Sequence, residues 1–209
     1  EQLDNFEIGA KNSFLNGRLH TNFAAFYGKY KDIQATIADA SKGIVTLANA
    51  ASAKVKGVEF SADYTPVPEF NLAAGATYLH NRYGSFPNAP VFATGPFAGS
   101  PSCPTPANGL GLSSCFADIS GTRLPNSPAF SGYVRASYDL AFANEWRARL
   151  SGNYRFTSSY DFVAGAGGPL QFDRQKGYST LDLDLNIVLP NGTTEVGGYA
   201  TNVFRKHYY

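Results

Sequence analysis

Few side chains in this sequence are spaced for chemistry. The three histidines, His20, His80 and His207, are scattered and make neither a metal-ligand nor a triad spacing. The glycine run from Gly165 to Gly168 lacks the Lys-Ser/Thr pair that a phosphate loop uses, so it reads as a flexible external loop. Asp182 and Asp184 alternate along one strand face, and two carboxylates could serve glycoside hydrolysis. Nothing nearby supplies a sugar cleft, however. Cys103 and Cys115 lie in one long polar stretch, too far apart for a CxxC metal or redox pair. They read as a local disulfide formed in an oxidising compartment, against the competing reading of two independent thiols. No enzyme, no metal site and no cofactor is expected. The chemistry left to this chain is recognition, and the question becomes which elements carry it.

Composition narrows those elements. Charged residues are 16% of the 209, below the roughly 25% of an average soluble domain. There are 13 Tyr, 16 Phe and 21 Gly, a balance that disfavours both disorder and a helical bundle. The formal net charge of +1, with basic residues spread along the chain, gives no field for nucleic acid. No stretch reaches the ~18 apolar residues of a membrane helix. The mean hydropathy of −0.21 would suit a soluble protein, but a barrel strand shows lipid only every second residue and leaves a weak signal. No signal peptide is visible at the start: either it has been removed or this is not the start of the gene product.

Alternation with period two dominates the chain. Phe6, Ile8 and Ala10 oppose Glu7 and Lys11. Leu19, Thr21, Phe23, Ala25 and Tyr27 oppose His20 and Asn22, and by this phase His20 should face a polar interior with Arg18 and Asn22. Val58, Phe60, Ala62 and Tyr64 oppose Glu59, Ser61 and Asp63, and Leu72, Ala74, Ala76 and Tyr78 share one face. Phe130, Val134, Ala136, Tyr138 and Leu140 oppose Ser131, Arg135, Ser137 and Asp139. Trp146, Ala148, Leu150 and Tyr154 oppose Arg147, Arg149, Asn153 and Arg155. Leu181 to Ile187 alternates without a break, and a Gly-rich eighth run spans about Thr194 to Phe204.

These eight runs reach the ~9–11 residues that a tilted strand needs to cross a bilayer, where soluble strands average about 5–6. Short turns at Leu15-Asn16-Gly17, Pro66-Val67-Pro68-Glu69, Ala143-Asn144 and Pro190-Asn191-Gly192 alternate with long segments at about 34–53, 83–128 and 159–177. Tight turns on one end and large loops on the other is the plan of an outer-membrane barrel. The expected fold is therefore all-β, an antiparallel transmembrane barrel segment of about eight long strands. The polar faces would line its lumen, with Asp182 and Asp184 laddered against Arg147, Arg149 and Arg155 on the next strand.

Local motifs carry a resemblance. Glu7-Ile8-Gly9-Ala10-Lys11 followed by Phe14 to Leu19, and then Ala25-Phe26-Tyr27 with Tyr30 to Gln34, resemble a late barrel hairpin of TonB-dependent receptors. Asn49-Ala50-Ala51 with Ala53 to Glu59 is similar to the segment leading into that family's next strand. Gly121, Arg123-Leu124-Pro125-Asn126-Ser127-Pro128 resembles its G-x-x-L-P-N-x-P motif. Asn202-Val203-Phe204-Arg205-Lys206 with Tyr208-Tyr209 resembles its C-terminal N-L-F-D-K-x-Y motif, from which Val203 and Arg205 depart. The motifs follow the family's order over nearly the whole chain.

The resemblance implies an outer-membrane receptor that takes up a scarce ligand, such as an iron–siderophore complex, by way of a plug domain and TonB. It implies residues 1–209 as a partial C-terminal barrel domain of a larger plugged barrel, without plug, earlier strands or final strand. Its partners would be outer-membrane lipid, TonB through the plug region, and a small-molecule ligand such as a metal chelate. Ligand contact would come from long-loop aromatics and cations: Tyr83, Phe86, Phe92, Phe97, Phe116, Arg123, Tyr160, Phe162, Phe172 and Arg174. Packing of the loops against one another is the competing role for each of them. Two rival readings remain, a passive porin-like barrel and a soluble β-sandwich adhesin or binding module. The sandwich would fail if Ile8, Phe23, Phe60, Leu150 and Leu183 were exposed on one continuous surface.

Overall fold

A computed structural model describes residues 1–39, 44–87, 89–92, 114–162 and 174–209. Eight strands form one antiparallel sheet, each hydrogen-bonded to its neighbour in the order β1 (Gln2–Phe14), β2 (Leu19–Asp39), β3 (Ile44–Val67), β4 (Phe70–Ser85), β7 (Phe130–Ala141), β8 (Arg147–Thr157), β11 (Tyr178–Val188) and β12 (Glu195–Ala200). Two small hairpins stand outside the sheet: β5 (Ala89–Phe92) with β6 (Ser114–Ala117), and β9 (Tyr160–Asp161) with β10 (Arg174–Gln175). Among the described residues the helical content is one 3-10 turn, Ala143–Glu145.

The short connections are built as their residue types dictate. Leu15, Asn16 and Gly17 all take positive φ (55°, 56° and 84°), the left-handed conformation that Asn and Gly enter most readily. At the β11–β12 turn the Asn191 Oδ1 accepts from the amides of Thr193 and Thr194 at 3.1 and 3.0 Å, and Gly192 supplies the positive φ.

Strand length divides the sheet into two zones. β7, β8 and β11 have 12, 11 and 11 residues, about what a tilted crossing requires. β2 and β3 have 21 and 24, roughly twice that need, so their hairpin projects well beyond the others. This corrects the expectation of a loop at 34–53: Gln34–Asp39 pairs with Ile44–Asn49 as continued ladder, after a register shift between Tyr30 and Ile33 where Asp32 takes a φ of 56°. The eighth strand is also shorter than its sequence run, ending at Ala200.

Register aligns like with like. One ladder row joins Ala10, Phe23, Phe60, Ala76, Gly132 and Phe156, and another joins Phe14, Leu19, Tyr64, Leu72, Ala136, Gly152 and Leu183. On this face Ile8, Phe23, Phe60, Leu150 and Leu183 are 75, 46, 49, 49 and 40% exposed, so the apolar belt is continuous and uncovered. A belt of this extent far exceeds the apolar patch of a soluble monomer. No second sheet packs on it among the described residues, which removes the β-sandwich. On three pairs an aromatic ring lies over the glycine opposite: Phe26 on Gly57, Tyr133 on Gly75 and Phe156 on Gly132. The rings cover backbone that the glycines leave bare.

The belt predicts a face-dependent cost of charge. Phe60→Lys should destabilise the membrane-embedded protein by about 2–4 kcal/mol, the range for a cation facing mid-bilayer lipid, whereas Ser61→Lys on the other face should cost far less. Equilibrium denaturant unfolding from lipid bilayers measures both. Equal losses would mean that the two faces are not differently solvated.

Candidate functional site

The opposite face of the sheet is concave and polar. It encloses a space of about 930 Å³ bordered by residues of β1, β2, β3, β4, β7, β8 and β11. Glu7, Lys11 and Glu59 line its β1–β3 side, and Arg135 and Arg155 line the β7–β8 side. His20 sits opposite Asp63 in the same phase as Asn22, as its alternation requires. Among the described residues no group of three His, Cys, Asp or Glu comes together that could hold a metal ion.

The expected ladder between Asp182, Asp184 and the arginines does not form, because register decides pairing one residue at a time. Asp182 stands opposite Asn153 and Asp184 opposite Ser151, while Arg155 faces Thr180 and Arg149 faces Asn186. Arg147 falls opposite Val188. Arg149 instead turns to its other neighbour and binds Asp139 through Nε at 2.6 Å and Nη2 at 2.8 Å. With its amide oxygen toward Arg155, Asn153 accepts from that guanidinium at 3.0 and 2.8 Å. Asp182 accepts from the Asn202 amide at 2.8 Å, and Asp184 from the Asn186 side chain at 2.6 Å.

Asp182 is therefore the anchor of the segment after β12. Asn202, at a φ of 47°, donates its side-chain amide to the Lys206 carbonyl (2.8 Å) and accepts from the Lys206 amide (2.9 Å), closing a loop on itself. That loop delivers Tyr208 onto Tyr178, with ring centroids 4.5 Å apart and planes within 5° of parallel. Both rings border the concave space. The Tyr209 amide donates to Gln175 Oε1 (2.9 Å), and Tyr160 Oη donates to the Tyr209 carbonyl (3.1 Å). Tyr160 meets Phe162 edge-on at 5.6 Å. Arg174 donates to Ser159 Oγ at 2.8 Å, and its Nε lies 3.8 Å from Asp161 Oδ1, a buried oxygen with no hydrogen-bond partner among the described residues.

The Gly121–Pro128 segment ties this cluster to β4. The Tyr83 amide donates to the Thr122 carbonyl, the Gly121 amide donates to Tyr83, and the Asn126 amide donates to the Asp161 carbonyl at 2.7 Å. Asn81 and Ser127 hydrogen-bond side chain to side chain. Phe86, Ala89, Ala117 and Ile119 are buried, as are Ala51 and Ala53 of β3, and the Ile119 amide donates to the Phe86 carbonyl.

Of the loop residues expected to meet a ligand, Tyr160, Phe162 and Arg174 thus fall in one cluster with each other. Tyr83 is half-buried and packs edge-on against Phe86 at 5.3 Å. Phe86 is 5% exposed and spends its surface on packing. Arg123 is half-buried in the Gly121–Pro128 segment. Phe97, Phe172 and Cys103 lie outside the described residues. So do the side chains of Phe92, Phe116 and Cys115, whose backbones belong to β5 and β6, and the disulfide expectation with them. Sequence reasoning missed Tyr178, Tyr208 and Gln175. The two tyrosines were visible as residues, but their stacking depends on the turn at Asn202.

Removing the anchor should be measurable. Asp182→Ala strands the Asn202 amide and should cost about 1–3 kcal/mol. The fluorescence of the Tyr178–Tyr208 pair would change with it. Unchanged stability and unchanged tyrosine emission would show that the loop holds without Asp182. In the exposed turn at 118–120, the side chain and backbone of Ser120 both donate to Asp118 and hold its pKa below the ordinary carboxylate value. A depressed carboxylate favours the folded turn above its ordinary pKa and loses that preference as pH falls through the lowered one. The Ser120 amide shift should accordingly titrate below the range of a free aspartate. A midpoint at or above that range would contradict the contact.

The model of the family described as "TonB dependent receptor-like, beta-barrel" matches residues 1–203. No curated protein matches the sequence. Solved structures do share the fold. The ferric yersiniabactin uptake receptor FyuA of Yersinia pestis is 18% identical, with a TM-score of 0.67 over 99% of this chain and 25% of its own. The siderophore receptor PiuA of Acinetobacter baumannii is 18% identical, with a TM-score of 0.68 over 99% and 25%. The pyoverdine outer membrane receptor FpvA of Pseudomonas aeruginosa is 19% identical, with a TM-score of 0.63 over 99% and 26%. This chain spans about a quarter of the length of those receptors. The all-β sheet with its alternating faces and the match over residues 1–203 agree: the chain belongs to the TonB-dependent receptor β-barrel family.

Proposed function

We propose that this chain is part of an outer-membrane receptor that imports a scarce anionic metal chelate, such as an iron–siderophore complex. In this reading the concave face lines the lumen, the long connections are extracellular, and TonB drives transport through a plug elsewhere in the protein. The observation that carries it is the cluster of Tyr160, Phe162, Arg174, Tyr178 and Tyr208 gathered at the long-connection end, two of whose rings border the concave space. Flat aromatic faces suit planar chelating rings, and a guanidinium suits an anionic ligand. The solved receptors of similar fold include ones named for ferric yersiniabactin and pyoverdine, which supports the same ligand class. Membership in a family of transport receptors, not enzymes, agrees with the lack of any catalytic constellation in the sequence.

The test is uptake of radiolabelled ferric siderophores by iron-starved cells that carry or lack the full gene. Import should need the gene and should stop when the proton-motive force is dissipated. Import that persists without that force would instead identify a passive pore. Within the full receptor, Tyr178→Ala and Arg174→Ala should each weaken ligand binding on the order of tenfold or more, as truncation of a central contact does. Glu195→Ala at the short-turn end should leave it unchanged.

A further inference from the structure

Tyr208 reaches Tyr178 on a segment whose base is fastened and whose tip is barely held. At the base, Asp182 holds the Asn202 amide, Asn202 closes on Lys206, and Phe204 meets Tyr154 edge-on at 6.4 Å. At the tip, His207 and Tyr208 make no hydrogen bond among the described residues. Tyr209 makes two, from its amide to Gln175 Oε1 and at its carbonyl from Tyr160 Oη. Residues 203–209 are all exposed, Tyr208 at 48%. A segment with few contacts and a solvated backbone opens far more readily than the sheet beneath it.

What the tip covers is one flat side of Tyr178, a ring that borders the concave space. With centroids 4.5 Å apart and planes within 5°, the two rings adopt the offset stack that aromatic faces favour. Tyr208 brings a planar phenol to this contact, and its hydroxyl has no hydrogen-bond partner among the described residues. Another planar phenolic ring entering from the concave space can make the same stack. Ring for ring, the exchange leaves Tyr178 equally well packed. A ring that also carries negative charge gains attraction to Arg174 in the same cluster, which a neutral tyrosine does not.

We propose that Tyr208 holds the place of a ligand ring: the site takes chelates built on planar phenolate or catecholate rings, and one such ring displaces Tyr208 from Tyr178. This deepens the import reading and rests on it. The two partners of one stack then have opposite roles. Losing Tyr178 removes the surface for which both rings compete, whereas losing Tyr208 removes the competitor. The apparent affinity of a site that is open only part of the time is reduced by the open fraction, so removing the competitor raises it. A tyrosine that merely packed the wall would give a loss at both positions.

The test uses the full receptor in detergent and the gallium(III) complex of catechol, a diamagnetic aryl chelate, with a gallium(III) hydroxamate that has no aromatic ring as the comparison. In calorimetric titrations Tyr208→Ala should bind the catecholate about twofold to tenfold more tightly than the wild type, the range set by one aromatic pair. Tyr178→Ala should bind it more weakly. In the otherwise unaltered receptor, a fluorotyrosine label at Tyr208 should move to its solvent-exposed resonance when the catecholate is added and stay in place with the hydroxamate. Weaker or unchanged binding by Tyr208→Ala would overturn the proposal. So would a Tyr208 resonance that the catecholate leaves unmoved. If either null result came with energy-dependent uptake of a ring-free chelate by cells carrying the gene, the import reading would stand and only the ring exchange would fall. Absence of all chelate uptake would remove both.

Discussion

A peptide group in hydrocarbon has no water to bond, so a chain exposing apolar side chains to lipid must satisfy its backbone from within. Inside the sheet that demand is met by a ladder running unbroken from β1 to β12, whose two outer edges carry no strand partner among the described residues. Almost everything else depends on it. Once neighbouring backbones are locked in antiparallel register, side chains alternate strictly between two faces, and each face is solvated as a whole. Apolar residues from Ile8 to Leu183 collect on the convex side, and the polar partners collect on the concave one. Among the described residues the usual arrangement of a folded domain is inverted. Large side chains are exposed, and the few buried residues are mostly small.

The same ladder sets the electrostatics. A carboxylate and an arginine on adjacent strands meet only if register makes them opposite. Arg149 finds Asp139 on β7, whereas Asp182 and Asp184, one strand away on the other side, are offset from every arginine of β8. Those acids then serve local ends. Asp182 holds the turn at Asn202, and through that turn it orders the aromatic stack of Tyr178 and Tyr208. A side chain expected to pair with arginines across the strands thus acts as a fastening for the segment after β12.

The two ends of the sheet obey different rules. At the short-turn end, Asn and Gly conformations close three of the hairpins, and Arg18 Nη1 donates to the Pro66 carbonyl at 3.1 Å in the turn after β3. At the other end, strands β2 and β3 extend beyond what a bilayer needs, and water can satisfy polar groups again. There, Phe86 and Ile119 form a small conventional core, charged residues return to the convex face, and the Gly121–Pro128 segment stitches β4 to β9.

What the sequence determined by itself was everything tied to period two and to turn chemistry. The faces of β2, β3, β4, β7, β8 and β11, the turns at Asn16, Asn144 and Gly192, and the family motifs were all legible, because each depends on residues close together in the chain. Strand ends were less legible: Gln34–Asp39 reads as loop but continues the ladder, since its partner Ile44–Asn49 supplies the bonds that local propensity does not. The pairing of Arg149, the fastening role of Asp182 and the Tyr178–Tyr208 stack were decided only by the tertiary structure. Each joins positions on different strands. A shift of one residue in register would change every such pair while leaving the alternation of each strand intact.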